Sequence, residues 1–87
     1  MTIVHIPASL RRLTSGADRA EATGNTVGEL VDDLEARFPG LRAALVQNGE
    51  LVSRFAVTVD DVVGSAGLAE PVGAASEVHF VPPLGGG

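Results

Sequence analysis

Apolar residues recur at helical spacing along one stretch of the chain and predict an amphipathic helix. The apolar stripe consists of Val27, Leu30, Val31, Leu34 and Phe38. Thr26 and Glu29 have the spacing of a capping box, in which the threonine hydroxyl accepts from the Glu29 amide and the carboxylate accepts from the Thr26 amide. Pro39-Gly40 ends the helix, because proline disfavours helical geometry in the residue before it.

Shorter apolar runs on either side of the helix predict four β-strands. They are residues 3–6, 17–23, 55–59 and 76–81. The last of them alternates with a period of two, so Val78 and Phe80 share one face. His79 and Val81 share the opposite face. The order strand, strand, helix, strand, strand predicts an α+β fold, with a mixed sheet packed on one main helix.

The connections between these elements carry turn signals. Residues 8–16 are predicted to form a loop anchored by two leucines, and residues 41–46 a short second helical turn. Asn48-Gly49 and Asp60-Asp61 are predicted to be turns, because Asn, Asp and Gly tolerate the backbone conformations that turns require.

Composition narrows the possible classes of function. The chain has eleven acidic residues, six arginines, no lysine and a net charge of −5. Nucleic acid is therefore not expected as a partner, because phosphate binding needs a basic surface. The absence of cysteine excludes a disulfide framework and thiolate ligands for zinc. No apolar run reaches the roughly 18 residues of a membrane span, and the N-terminus lacks the pattern of a secretory signal. We therefore expect no membrane association and a cytoplasmic location.

Two histidines are the candidates for a metal pair. If the first and last strands are neighbours, His5 and His79 project from the sheet face opposite the helix. Two ligands without a third do not define a metal site, so surface histidines are the preferred interpretation and no metal is expected. The carboxylate pairs Asp32-Asp33 and Asp60-Asp61 are interpreted as a solvated helix edge and as a turn, not as catalytic acids.

The end of the sequence, Pro82-Pro83-Leu84-Gly85-Gly86-Gly87, is predicted to be a reactive C-terminal tail that follows a domain of residues 1–81. The prolines lack amide donors and cannot continue a strand, and the glycines leave the terminal carboxylate unhindered. Six residues span at most about 20 Å, which is enough to enter the active site of a partner. We expect Gly87 to carry the chemistry, with Leu84, Gly85 and Gly86 as the rest of the tail.

Several segments, in this order, resemble the ubiquitin-like sulfur carriers of the molybdopterin synthase small subunit and thiamine sulfur carrier family. They are Thr26–Leu30, Phe38–Gly40, Gly67-Leu68, Pro71-Val72 and Glu77–Leu84 running into Gly86-Gly87. The resemblance covers essentially the whole chain, and the segment Ile6–Arg11 is most similar to carriers for cysteine biosynthesis. The chain departs from the family at Val59–Val62, where an Asn-Gly turn is common, and at Gly85, where alanine is common.

The resemblance implies a ubiquitin-like β-grasp fold and the role of a protein co-substrate, not of an enzyme. In this family an E1-like activating enzyme adenylates the terminal glycine carboxylate with ATP, and sulfur then replaces the adenylate to give a thiocarboxylate. By resemblance this role falls on Gly87. Gly86 is needed so that the tail can enter the narrow tunnel to the partner's active site. Such a carrier binds no cofactor of its own. It hands sulfur to a synthase, for the cysteine type a pyridoxal-phosphate-dependent cysteine synthase.

The resemblance also implies a docking surface beside the tail. His79 and Val81 are expected there, with Ala56 and Thr58 as further candidates and Leu84 as the bridge to the tail. The alternatives within the family are a molybdopterin synthase small subunit and a supplier of sulfur to thiamine or to a secondary metabolite. From other classes, the alternatives are a ubiquitin-like modifier joined to lysines of other proteins and a β-grasp binding module with an incidental tail.

Overall fold

The computed structural model describes residues 1–81, so the predicted tail lies outside the described residues. The strands are β1 (Thr2–His5), β2 (Arg19–Ala22), β3 (Val46–Gln47), β4 (Glu50–Leu51), β5 (Ala56–Val59), β6 (Val62–Val63) and β7 (Glu77–Val81). The α-helices are α1 (Val27–Arg37) and α2 (Leu41–Leu45), and 3₁₀ helices cover Ala8–Thr14 and Gly67–Ala69. The four predicted strands and the main helix are all present, with slightly different boundaries.

Five of the strands form one mixed sheet in the order β2-β1-β7-β5-β6. β1 and β7 run parallel, with His5 opposite His79, while the other neighbouring strands pair antiparallel. A parallel pair cannot be joined by a tight turn, so the connection between β1 and β7 includes α1. This arrangement confirms the predicted α+β fold with a mixed sheet packed on one main helix.

The hydrophobic core lies between α1 and one face of the sheet. Four residues of the predicted helical stripe are buried and Phe38 is half-buried against them. The sheet and its adjoining ends contribute Val4, Ile6, Ala22, Val57, Val78 and Phe80. Burial of alternate strand residues leaves the other face of the sheet free of the helix.

Of the two hydrogen bonds predicted to cap the N-terminus of α1, one is present and the other has a different donor. The Thr26 hydroxyl accepts from the Glu29 amide at 3.2 Å. The Glu29 carboxylate does not accept from the Thr26 amide, as predicted, but from the Asn25 amide at 2.8 Å. Thr26 has an extended backbone and forms an antiparallel bridge with Pro71. This geometry directs the Asn25 amide, rather than the Thr26 amide, toward the Glu29 carboxylate.

The segment predicted as a loop after β1 is instead a 3₁₀ helix, Ala8–Thr14. The Leu10 amide donates to the Pro7 carbonyl at 2.9 Å, which starts the helix directly after the proline. Leu10 is buried, and Leu13 packs against the core, as the anchoring role of the leucines predicted. Periodicity over so short a segment does not separate an anchored loop from a tight helix.

The two predicted turns each close a hairpin. Asn48 and Gly49 have φ of 55° and 78° and join β3 to β4, a short hairpin that the sequence analysis did not predict. Asp60 and Asp61 have φ of 53° and 69° and join β5 to β6. Asp-Asp therefore takes the left-handed conformations that Asn-Gly adopts in a two-residue hairpin turn. The Asp60 carboxylate also accepts from the Glu77 amide at 2.9 Å, which ties the turn to the start of β7.

Glu35 braces the corner between α1 and α2. Its carboxylate accepts from the Arg42 amide at 2.8 Å and from the Gly40 amide at 3.1 Å. These two backbone hydrogen bonds, the one from Arg42 first, hold the pKa of the Glu35 carboxyl below its usual range. The charged carboxylate therefore stabilises the folded chain above the pKa of the unfolded state, and this contribution is lost as the pH falls through the folded-state pKa.

Replacing Glu35 by Gln is expected to make stability less dependent on acid pH. The amide side chain keeps one acceptor oxygen but loses the charge and the second acceptor. Unfolding midpoints measured between about pH 3 and pH 7 will fall less steeply toward acid for Glu35→Gln than for the wild type. The matched control is Glu50→Gln in the exposed hairpin. An equal flattening in both variants would contradict a specific role for Glu35.

No helix among residues 1–81 is both long enough and apolar enough to cross a membrane.

Candidate functional site

The end of β7 determines where the predicted tail begins. Val81 is the last described residue, and it lies opposite Ala56 of β5 in the antiparallel pair. On its other side β7 runs parallel to β1, so the segment after His5 lies level with the end of β7. β7 is thus a central strand, and both of its neighbours border the point from which the chain continues to Pro82. Leu84, Gly85, Gly86 and Gly87 lie outside the described residues.

The sheet face turned away from α1 adjoins this point. We call it the outer sheet face, and its central residues are Ile3, His5, Ala56, Thr58, His79 and Val81. All of these are half-buried, in contrast to the buried Val78 and Phe80 on the helix side. The structure therefore places both predicted interface residues, His79 and Val81, on one surface with Ala56 and Thr58. This surface carries few charges at its centre, which suits contact with another protein.

The two histidines meet on the outer sheet face. The rings of His5 and His79 are stacked, with centroids 3.9 Å apart and an interplanar angle of 4°. His5 Nε2 lies 2.8 Å from Oε1 of Glu77, two residues before His79 on the same face. The condition stated for the pair, that the first and last strands are neighbours, is met. Among residues 1–81, no three His, Asp or Glu side chains are grouped so that they could hold a metal ion.

The carboxylate pairs have structural partners. Asp32 accepts from Arg42 at 2.8 Å, and Asp33 accepts from Arg37 at 3.1 Å and from the Thr23 amide at 3.0 Å. The first pair therefore lies at a helix edge, where ion pairs and a backbone contact join it to neighbouring segments. Asp60-Asp61 forms the hairpin turn, as predicted. Both pairs thus have the structural roles that the sequence analysis assigned to them.

Sequence reasoning missed one feature of this region. Arg12 and Arg54 are far apart in the chain but line one groove, together with Leu10 and Phe55. The groove lies beside the start of β5, whose first residue is opposite Val81. The sheet register brings these arginines to the end of β7, and no local pattern in the sequence indicates it.

Comparison with known proteins identifies the family of this chain. The model of the ThiS family matches residues 4–87. The sulfur carrier protein CysO of Mycobacterium tuberculosis is 34% identical over 89 residues, which cover 97% of this chain and 96% of that protein. The CysO complex with BexX from Amycolatopsis orientalis contains a chain with a TM-score of 0.90 and 36% identity, and the match covers 100% of both chains. The small archaeal modifier protein SAMP1 from Haloferax volcanii is less similar, with a TM-score of 0.71 and 27% identity over 99% of this chain and 98% of that one.

The mixed sheet, the single main helix and the central last strand define a ubiquitin-like β-grasp protein. The chain belongs to the ThiS family, and its function is that of a sulfur carrier protein. Proteins of this kind are carriers, not catalysts. The comparisons favour the carrier over the molybdopterin synthase subunit and the protein modifier.

Proposed function

We propose that Gly87 carries the transferred sulfur as a C-terminal thiocarboxylate. The observation that supports this most directly is the family match, which extends through residue 87. The position of β7 adds a physical reason. A central strand with neighbours on both sides provides a rigid base for a tail of six residues, which reaches at most about 20 Å from Val81. The domain supplies recognition and reach, and the chemistry occurs in the active site of a partner.

The reaction requires activation, because a carboxylate is a poor electrophile. A carboxylate oxygen of Gly87 attacks the α-phosphorus of ATP, pyrophosphate leaves, and an acyl adenylate forms. A sulfide-level nucleophile then attacks the carbonyl carbon and AMP leaves, so one oxygen of the terminal carboxylate is replaced by sulfur. An E1-like activating enzyme binds the ATP, and the carrier needs no cofactor of its own. The proposal places the carrier in the cytoplasm, where this enzyme has access to ATP.

We assign the carrier to sulfur delivery for cysteine biosynthesis or for another sulfur-containing metabolite. The similarity to CysO proteins supports this assignment. One of these relatives is a sulfur carrier protein, and another was solved in complex with BexX. The acceptor is a synthase that takes the sulfur from the thiocarboxylate, for the cysteine type a pyridoxal-phosphate-dependent cysteine synthase. Each of these partners has to recognise the same domain and admit the same tail.

The mass of the intact protein tests the proposal directly. The domain is incubated with ATP, a sulfide source and an E1-like activating enzyme from the same organism. We expect the replacement of one oxygen by one sulfur, located at Gly87 by fragmentation and absent without ATP. If the enzyme binds the domain but no sulfur is added, and isopeptide links to lysines of other proteins appear instead, the modifier is the correct function.

A charge placed on the outer sheet face is expected to weaken docking. Val81→Asp introduces a carboxylate at the centre of a surface that loses water on contact, and burying an unpaired charge is costly. We expect the KM of the activating enzyme for the carrier to rise about tenfold or more, which corresponds to about 1.4 kcal/mol. The kcat at saturating carrier will change less, because Gly87 itself is unaltered.

The control for this variant is Val62→Asp, which adds the same charge to a valine of the edge strand β6. Val62 is 68% exposed, and its register partner Val59 packs against the core, so its side chain is not on the outer sheet face. Its KM is expected to stay within about twofold of the wild type, as for a typical surface substitution. An equal rise in both variants would show that added negative charge, not its position, weakens docking.

A further inference from the structure

The six arginines of this acidic chain are of two kinds. Two of them pair with carboxylates of α1, Arg37 with Asp33 at 3.1 Å and Arg42 with Asp32 at 2.8 Å. The other four form no ion pair with any carboxylate of residues 1–81. These four are Arg11, Arg12, Arg19 and Arg54. Arginines without a carboxylate partner among residues 1–81 keep their charge available to a partner molecule.

Two of the four unpaired arginines lie on the β1 side of β7. Arg11 donates from Nε to the Ile6 carbonyl at 3.2 Å, which holds its side chain where the chain leaves β1. Arg19 begins β2 and lies opposite His5 in the antiparallel pair. Because β1 runs parallel to β7, both arginines are at the end of the sheet where β7 finishes.

The other two arginines lie on the β5 side of β7. Arg12 and Arg54 line the same shallow groove, which has a volume of about 360 Å³. Arg54 also donates from Nη2 to the Ala44 carbonyl at 3.4 Å. It precedes Ala56, the residue opposite Val81, by two positions. The four arginines thus flank the end of β7 on both sides.

The distribution of charge along the chain is correspondingly uneven. Residues 6–19 and 52–56, which border the end of β7, contain four of the six arginines and one of the eleven acidic residues, Asp18. The remaining segments contain ten acidic residues and the two arginines that are already paired. A chain with a net charge of −5 therefore has a locally basic end, and that end is the one from which the tail continues.

We propose that Arg11, Arg12, Arg19 and Arg54 form a docking surface for an acidic protein surface, which borders the entrance of the site that receives Gly87. We call these four residues the arginine surface. The proposal rests on the carrier function proposed above and adds the chemistry of the partner. The rest of the domain is acidic and is repelled by such a partner, so the uneven charge also orients the domain with its tail toward the entrance.

The arginines are expected to contact carboxylates on the surface of the partner protein, not the phosphates of the ATP that it binds. The tail has to extend for Gly87 to enter a buried site, and six extended residues separate Gly87 from Val81 by up to about 20 Å. The arginines around the end of β7 then remain at the rim while Gly87 reaches the phosphates. Carboxylates at the rim suit arginine, whose guanidinium binds them in a bidentate geometry.

Association kinetics with the purified E1-like activating enzyme from the same organism test the arginine surface. The double variant Arg12→Gln/Arg54→Gln removes two charges from the groove. We expect its association rate constant at low salt to be about tenfold below that of the wild type, with a weaker dependence on ionic strength. Arg12→Lys/Arg54→Lys keeps the charges and is expected to recover most of the rate.

The matched control is Arg37→Gln/Arg42→Gln, which changes the net charge equally on the helix side. Equal rates for the two glutamine variants would overturn the arginine surface, and so would an unchanged rate for the groove variant. Circular dichroism and thermal unfolding of each variant confirm that it is folded.

Thiocarboxylate formation by the wild type is recorded in parallel. If it occurs while the two variants behave alike, the carrier function stands and the docking proposal fails; if it does not occur, the carrier function itself fails, and the docking proposal with it.

Discussion

Deleting Gly86 and Gly87 is expected to abolish thiocarboxylate formation completely while leaving the unfolding midpoint of the domain unchanged. In the proposed function the sulfur needs a terminal carboxylate that reaches the activating enzyme. The deletion shortens the tail by two residues and makes Gly85 the terminal residue. The buried core of the described residues ends at Phe80, and glycine has no side chain to add to a core, so we expect stability to be unaffected. The measurements are the intact mass after the activation reaction and thermal unfolding of the purified variant.

Single alanine substitutions separate the shape of the tail from its length. Gly86→Ala keeps six residues and a free carboxylate but adds a Cβ at the position that we expect to lie in the tunnel. We predict that it lowers the rate of thiocarboxylate formation by about a hundredfold or more, the scale of a loss of positioning at a reacting group. Gly85→Ala is the matched control, because the resemblance indicates that alanine is tolerated there. Equal activity of both variants with the wild type would contradict the tunnel and leave only a requirement for length.

The fold was predictable from the sequence wherever periodicity extended over a whole element. The helical stripe that ends at Phe38 and the alternation of Val78 and Phe80 with His79 and Val81 each predicted the buried face found in the structure. Short elements were harder. The 3₁₀ helix after Pro7 and the hairpin around Asn48-Gly49 contain too few residues for a period to be recognised.

The candidate site divides in the same way. The reactive tail follows from a local pattern and stays a prediction. The meeting of His5 and His79 required only the condition that β1 and β7 are neighbours, and the structure meets it. The arginine surface depends on the register of four strands and on a 3₁₀ helix. Arg12 and Arg54 line one groove because β5 starts beside the end of β7 and the 3₁₀ helix follows β1. Contacts of this range are not contained in any single segment.

The free energy of unfolding should depend strongly on Val78, which links the core to the site. Val78 is fully buried in β7 and lies opposite Val4 of β1 and Val59 of β5. Val78→Ala removes two methyl groups from this position, which costs their transfer free energy and leaves a cavity between the sheet and the helix. We expect the free energy of unfolding to fall by about 2–3 kcal/mol, a large part of the roughly 5–15 kcal/mol typical of a domain. Chemical denaturation measures this loss.

Val62→Ala is the control, because it removes the same two methyl groups from a strand residue that is 68% exposed. Its free energy of unfolding should change by less than about 0.5 kcal/mol. If the two variants are equally stable, β7 is not packed as described. A large loss in Val78→Ala alone, with thiocarboxylate formation retained at temperatures where the variant is folded, separates the two roles of this strand. In that case its buried face stabilises the domain, while we expect its outer face and its end to position the tail for the partner.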